Sequence, residues 1–180
     1  DLSNLIFQKL GAITFDHIDE PNLQPIFIHQ DAGAISLFKI CEFMKELGFN
    51  SLLSGSGADE IYSDYGFAGK KFAPHSEFGG LFPNSLENFF PWKKFYYDSQ
   101  RSYLKKDEMI TGLFGIEGRY PFLDSELTQE FLSLNVNLKN FKYKNCIANF
   151  LDMEKYPYEE NIKVGFTAIK LSKISFLKMQ

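Results

Sequence analysis

One short stretch, Ser51-Leu52-Leu53-Ser54-Gly55-Ser56-Gly57-Ala58-Asp59-Glu60, constrains the fold more than any other part of this chain. The apolar pair Leu52-Leu53 predicts a buried strand. Two serines alternating with two glycines then predict a tight turn, and Asp59-Glu60 stand where a helix would begin. A strand ending in a Gly/Ser turn at a helix N-terminus points backbone N–H groups at one spot, and such a spot attracts anions. The carboxylate of Asp59 beside it suggests a divalent cation, because phosphates and carboxylates share Mg²⁺ readily. The expectation is that this turn holds the phosphates of a nucleotide.

The flanks of the stretch support that reading. Residues 34–47 carry Ile35, Phe38, Phe43, Met44 and Leu47 at three- and four-residue intervals, the spacing of an amphipathic helix, and Gly48 is suited to close it. Helix, short turn, strand, glycine turn and helix make half of a parallel α/β unit. In such sheets ligands bind beyond the carboxyl ends of the strands, where residues 54–59 fall. The predicted class is therefore α/β, rich in helix.

Elsewhere, residues 2–10 have helical spacing ended by Gly11, and residues 12–15 read as a short strand. Residues 16–31, with Pro21 and Pro25, read as an irregular connection holding a strand at 26–28. Residues 67–90 are rich in Gly, Pro and Asn and predict a loop or short helical pieces. Helices are expected over 90–104 and 107–114. Pro121 forbids a continuous helix there, and Asp124 is placed to cap a helix over 125–134. A further helix is expected over 143–152, ended before Pro157.

The 180 residues are 44% hydrophobic and 23% charged, a composition that suits one globular domain with a bulky core built from 20 Phe. A net charge of -4 with scattered lysines gives no reason to expect nucleic acid. No apolar run is long enough to span a membrane. Cys41 and Cys146 lie far apart and, with three His, make no zinc pattern. Cys41 falls on an apolar helical face and reads as a buried thiol, which fits a reducing, cytoplasmic compartment. Ser56 is not a hydrolase nucleophile: Ser54 stands where the G-x-S-x-G pattern needs glycine. The opening Asp1-Leu2-Ser3-Asn4 reads as the interior of a longer protein.

Three segments, in this order, resemble one family. Residues 54–60, Ser-Gly-Ser-Gly-Ala-Asp-Glu, look like the SGEGADE segment of the asparagine synthetase C-terminal domain. Arg119-Tyr120-Pro121-Phe122-Leu123-Asp124 looks like its RVPFLD segment, with Glu117 at the acidic position before it. Lys163-Val164-Gly165-Phe166 resembles its later K-x-G-F segment. The resemblance implies the C-terminal part of an adenine-nucleotide α-hydrolase-like, parallel-sheet ATP-pyrophosphatase domain, with residues 1–180 as one partial synthetase domain. It implies adenylation of the aspartate side-chain carboxylate by ATP, followed by displacement of AMP by ammonia to give asparagine. The ammonia would come from glutamine through an N-terminal glutaminase domain, in cis or in trans, and a homodimer is allowed.

Carried over residue by residue, Ser54, Gly55 and Gly57 would contact ATP, Asp59 would hold Mg²⁺ on the pyrophosphate, and Ser56 would face the substrate. Lys163 would be catalytic, placing its ammonium where negative charge develops. Arg119 and Asp124 are expected to serve structure, as a buried pair bracing two helices. Two departures weigh on the substrate. The family's SGGxDS loop is not in this sequence, so the chain alone is expected to be inactive. Ser56 replaces the family's glutamate and cannot act as a carboxylate base at neutral pH. Two alternatives therefore stand beside aspartate: the same chemistry on another carboxylate (a sugar acid, a peptide or a ring-closing substrate), or a degenerate domain that only binds.

Overall fold

A computed structural model describes residues 1–16, 22, 24–96, 98–160 and 166. In chain order its helices and strands are α1 (Leu2–Leu10), β1 (Thr14–Asp16), β2 (Ile26–Phe27), α2 (Ala32–Glu46), β3 (Ser51–Leu53), α3 (Ala58–Tyr62), β4 (Gly66–Phe67), β5 (Lys70–Lys71), α4 (Lys93–Tyr96), α5 (Asp98–Leu113), β6 (Glu117–Arg119), α6 (Ser125–Ser133), α7 (Val136–Asn140) and α8 (Asn145–Met153). The described strands form three two-stranded sheets, β1 with β2, β3 with β6 and β4 with β5. The pair β3–β6 is parallel: Glu117 N–H donates to Asn50 C=O at 2.8 Å at one end, and Ser54 N–H donates to Arg119 C=O at 2.8 Å at the other. The class is thus helix-rich α/β with a small parallel element, as expected.

The described residues fall into two compact units, one drawing on 1–52 and 105–117, the other on 53–104 and 118–160. In the first unit, the N-cap carboxylate of Asp31 accepts from Ala34 N–H at 2.7 Å and starts α2. The buried face of α2 is not the one the largest residues mark. Ala34, Leu37, Phe38 and Cys41 are buried, while Phe43 and Leu47 are more than half exposed. Phe38 meets Phe114 edge to face at 4.9 Å. Cys41 is a buried thiol as expected, and burial pushes it up to about 11, with the Asp107 carboxylate adding to the shift. Lys106 pairs with Asp31 at 3.3 Å and ties α5 to the start of α2.

The second unit is organised around Ile61, Tyr62, Phe82, Leu86, Trp92 and Phe131. Aromatic rings meet here in a chain: Trp92 lies 4.7 Å from Phe95 and 5.8 Å from Phe82, and Phe82 lies 5.4 Å from Phe131. Some polar groups in this core have partners that fix the chain around them. The buried carboxylate of Asp64 accepts from Ser76 Oγ and from the N–H groups of Glu77 and Phe78 at 2.6–2.9 Å, fixing the loop at 76–78. The Asn140 amide both accepts from Phe82 N–H and donates to Phe82 C=O, each at 2.9 Å. Lys139 is buried and donates to the C=O groups of Leu132 and Leu134, closing the end of α6.

Several expectations change in detail. The helices expected over 90–104 and 107–114 are replaced by α4 and one long α5, because Lys105 and Lys106 favour helix and nothing between them breaks it. The loop expected over 67–90 contains the β4–β5 hairpin, turned by Ala68 and Gly69 at φ of 50° and 81°. Leu53 is 74% exposed rather than buried, since β3 is paired with β6 alone among the described strands. No helix of the described residues is long and apolar enough to cross a membrane.

Candidate functional site

The Ser54–Glu60 stretch forms the predicted bend between β3 and α3. Gly57 sits at φ 100°, a conformation that side chains disfavour. A Cβ there would lie 2.4 Å from Leu123 Cδ2 and 3.4 Å from Phe122 Cβ. Glycine is therefore required twice, by backbone angle and by the close approach of the Phe122-Leu123 segment. Tyr62 adds a hydroxyl that donates to Phe122 C=O at 3.4 Å. The first and second of the three segments, about sixty residues apart in sequence, are thus packed together, with Ser54 N–H on Arg119 C=O at their joint.

Several amides of the bend are engaged within the chain. Ser56 N–H donates to Ser54 Oγ at 3.2 Å, and Ala58 N–H donates to Gly55 C=O at 3.2 Å. Gly57 N–H donates to Glu60 Oε2 at 2.9 Å, half of a capping box, the other half being impossible for glycine. Glu60 is buried, and its second oxygen accepts from Tyr65 Oη. Its main-chain oxygen accepts from Trp92 Nε1 at 3.0 Å, which anchors the start of α3 in the aromatic core. Burial raises the carboxyl above its ordinary range, against the opposing pull of the Tyr65 hydrogen bond. Tyr65 is raised too, by burial first and then by the Glu60 charge.

Asp59 points the other way. Its Oδ1 accepts from Tyr143 Oη at 2.8 Å and pairs with Lys144 Nζ at 2.9 Å. Burial, then the charge of Asp59, raises the Tyr143 phenol. The side chains of Asp59 and Lys144 are 24% and 18% exposed, so the pair is reachable from solvent. Ser54 and Ser56 lie next to it in sequence, with Ser54 Oγ donating to Ser56 Oγ at 3.1 Å. No cluster of three or more His, Cys, Asp or Glu gathers among the described residues. A nucleotide-bound Mg²⁺ asks for less, one or two carboxylates with phosphates and water completing its shell. The single carboxylate of Asp59 fits that need, provided that Lys144 and Tyr143 share Oδ1 or release it.

Ser54, Gly55, Ser56, Gly57 and Asp59 thus lie together on one bend, while Lys163 lies outside the described residues. The lysine that meets Asp59 here is Lys144. Neither Tyr143 nor Lys144 was legible as a site residue, since nothing in their spacing marks them. The Gly57–Glu60 cap had a signal, the glutamate three residues after the bend. Arg119 and Asp124 are not a buried pair. Both are exposed, and Asp124 caps α6 by accepting from Leu127 N–H at 3.0 Å.

No family model matches the chain, and no solved structure matches it. Among curated proteins it is similar to asparagine synthetases (glutamine-hydrolysing). That of Sandersonia aurantiaca is 30% identical over 129 residues, 68% of this chain and 22% of that protein. That of Brassica oleracea is 30% identical over 128 residues, 68% of this chain and 20% of that protein. Asparagine synthetase 1 of Arabidopsis thaliana is 29% identical over 135 residues, again 68% of this chain and 20% of that protein. The chain spans about a fifth of the length of these relatives. Over about two thirds of its residues this chain is therefore similar to the glutamine-hydrolysing asparagine synthetases, the family that its three segments resemble.

Proposed function

We propose that the polypeptide carrying this chain is an AMP-forming amide ligase that uses ATP and Mg²⁺. The observation that carries this reading is the packing of the Ser54–Glu60 bend against the Tyr120–Asp124 segment, with Gly57 under Leu123. Two of the three family-like segments make one structural unit, and the similarity to asparagine synthetases supports reading that unit as part of a ligase. On this reading the chain is the C-terminal part of an adenine-nucleotide α-hydrolase-like domain. An SGGxDS loop elsewhere completes its ATP site, and a glutaminase domain, in cis or in trans, supplies ammonia from glutamine. The setting is the cytoplasm, and a homodimer is compatible with it.

The reaction runs in two steps. A carboxylate oxygen of the substrate attacks the α-phosphorus of ATP, and the bond to pyrophosphate breaks. Ammonia then attacks the activated carbonyl carbon, AMP leaves with the bridging oxygen, and a proton is lost to give the amide. The Ser54 and Ser56 hydroxyls and the backbone of Gly55 would bind and orient the phosphates, with Gly57 holding the bend in shape. Asp59 would hold Mg²⁺, which when bound neutralises charge on the departing pyrophosphate. Lys163 would stabilise the charge that develops between the two steps.

Aspartate is the default acceptor. Ser56, in place of the family's glutamate, favours a second reading, the same adenylation on another carboxylate. Pyrophosphate release from the full-length polypeptide decides both, measured with ATP, a nitrogen source and a panel of carboxylates. Release with aspartate alone supports the default, and release with a different acid supports the alternative. No release with any acid, the SGGxDS loop being present, overturns the ligase and leaves a domain that only binds.

A further inference from the structure

Tyr143 stands just before α8, and the ligase chemistry of the bend gives it no task. Its hydroxyl donates to Asp59 Oδ1 at 2.8 Å, and the hydroxyl of Ser63, buried at the end of α3, also bonds the phenol oxygen. The ring is held as firmly as the hydroxyl. Phe72 and Phe67 meet it edge to face at 5.7 and 6.2 Å. Phe67 belongs to β4 and Phe72 directly follows β5, so the β4–β5 hairpin forms the wall against which the ring packs. That hairpin is fastened in turn. Phe72 N–H donates to Tyr65 C=O at 2.7 Å, and a Cβ on Gly66 would lie 2.2 Å from the carbonyl carbon of Gly79, so the hairpin and the turn at 79–80 touch backbone to backbone.

A carboxylate that ligates a metal depends on the hydrogen bonds behind it, which set its orientation, and losing one such partner costs about 10–100-fold in metal affinity. The two partners of Asp59 Oδ1 differ in their fitness for that work. Lys144 Nζ reaches the same oxygen at 2.9 Å, but its positive charge opposes that of a metal ion and its stem is flexible. Tyr143 is neutral at pH 7, donates a single proton and is fixed by packing on both sides. We propose that Tyr143 is a positioning residue, whose hydroxyl holds the Asp59 carboxylate in place for a nucleotide-bound Mg²⁺. This role rests on the ligase reading of Asp59. The alternative is a plain structural tie, since the same hydrogen bond joins the start of α8 to α3.

Calorimetric titration of the full-length polypeptide with ATP, in the presence and absence of Mg²⁺, separates the two. The wild type should bind ATP more tightly with Mg²⁺ than without. Tyr143→Phe keeps the ring against Phe67 and Phe72 and removes only the donor. It should bind metal-free ATP as the wild type does, yet lose about tenfold in affinity when Mg²⁺ is present. In ATP–pyrophosphate exchange its apparent KM for Mg²⁺ should rise by about the same factor, with kcat regained at saturating Mg²⁺. Tyr158→Phe, which removes a hydroxyl bonded to a different carboxylate, Asp152 at 3.0 Å, should change neither. Tyr143→Leu, which also lacks the donor, serves if the phenylalanine variant misfolds. An unchanged or tighter Mg²⁺ dependence, an affinity loss that is equal with and without Mg²⁺, a kcat that stays low at saturating Mg²⁺, or the same shift in Tyr158→Phe would overturn the role and leave the structural tie. A wild type that binds ATP no better with Mg²⁺ would overturn the metal reading of Asp59 itself, and the role of Tyr143 with it.

Discussion

The bend at residues 54–60 and the first turns of α5 around Gln100 treat buried polar groups in opposite ways. At the bend, the N–H groups of Ser54, Ser56, Gly57 and Ala58 all have acceptors within the chain, and buried Glu60 bonds both to Gly57 and to Tyr65. At Gln100, both ends of the amide lack a hydrogen-bond partner among the described residues. A group whose bonds close within the protein holds a shape, whereas a buried amide left without them carries a desolvation penalty. On this view the bend backbone is chiefly a rigid frame, and its chemistry is left to the outward groups of Ser54, Ser56 and Asp59.

Substitutions on the two sides should therefore differ in sign as well as in size: Gln100→Leu, which removes an unpaired buried amide, should raise the melting temperature, whereas those at the bend should lower stability. Gly57→Ala should cost the most, about 3–5 kcal/mol from a disfavoured backbone and a forced shift of Leu123. Denaturant unfolding measures it, and Leu123→Ala in the same chain should recover part of the loss. A loss below about 1 kcal/mol would mean that the bend is not the close-packed frame described.

Glu60→Ala should follow, at about 2–4 kcal/mol, because Gly57 N–H and Tyr65 Oη lose their acceptor. The pH dependence has a definite sign. Burial raises the folded-state pKa of Glu60, so between its unfolded and folded values the folded chain binds more protons. The contribution of Glu60 is greatest below about pH 4 and is lost as pH rises through the folded pKa. Glu60→Gln, which cannot ionise, should lack that decline. Parallel stability curves for the two proteins from acid to neutral pH would contradict the burial of this carboxyl.

Asp124→Ala should cost about 1 kcal/mol through loss of the α6 cap. The smallest effect on stability belongs to Asp59→Asn, at about 1 kcal/mol or less, since its pair with Lys144 is partly solvated. Its signature lies in Tyr143, whose phenol should titrate lower once the neighbouring charge is gone, while staying above its ordinary 10.0 because burial remains the larger cause. Ultraviolet titration of the tyrosines reads this directly.

Local signals carried much of this organisation. Gly48 and the 34–47 periodicity marked α2, Asp124 marked the start of α6, and the alternating Ser and Gly marked the bend with Asp59 at its end. What stayed hidden depends on tertiary partners. The inner face of α2 mixes Ala34 and Cys41 with Leu37 and Phe38, while Phe43 and Leu47 stay more than half exposed, so counting bulky side chains marks only part of the right stripe. The meeting of Asp59 with Tyr143 and Lys144 joins positions more than eighty residues apart, and no local spacing encodes it. Gln100 sits in a stretch that reads as ordinary helix, and no local spacing foretells the burial of its amide without a partner among the described residues.

The ligase proposal turns on whether Asp59, held by Lys144 and Tyr143, also serves a nucleotide-bound metal. ATP–pyrophosphate exchange by the full-length polypeptide, comparing wild type with Asp59→Asn at saturating Mg²⁺ and acceptor carboxylate, tests that most directly. The account predicts exchange in the wild type and its loss in a variant that unfolds at nearly the same denaturant concentration. Undiminished exchange in Asp59→Asn would contradict it.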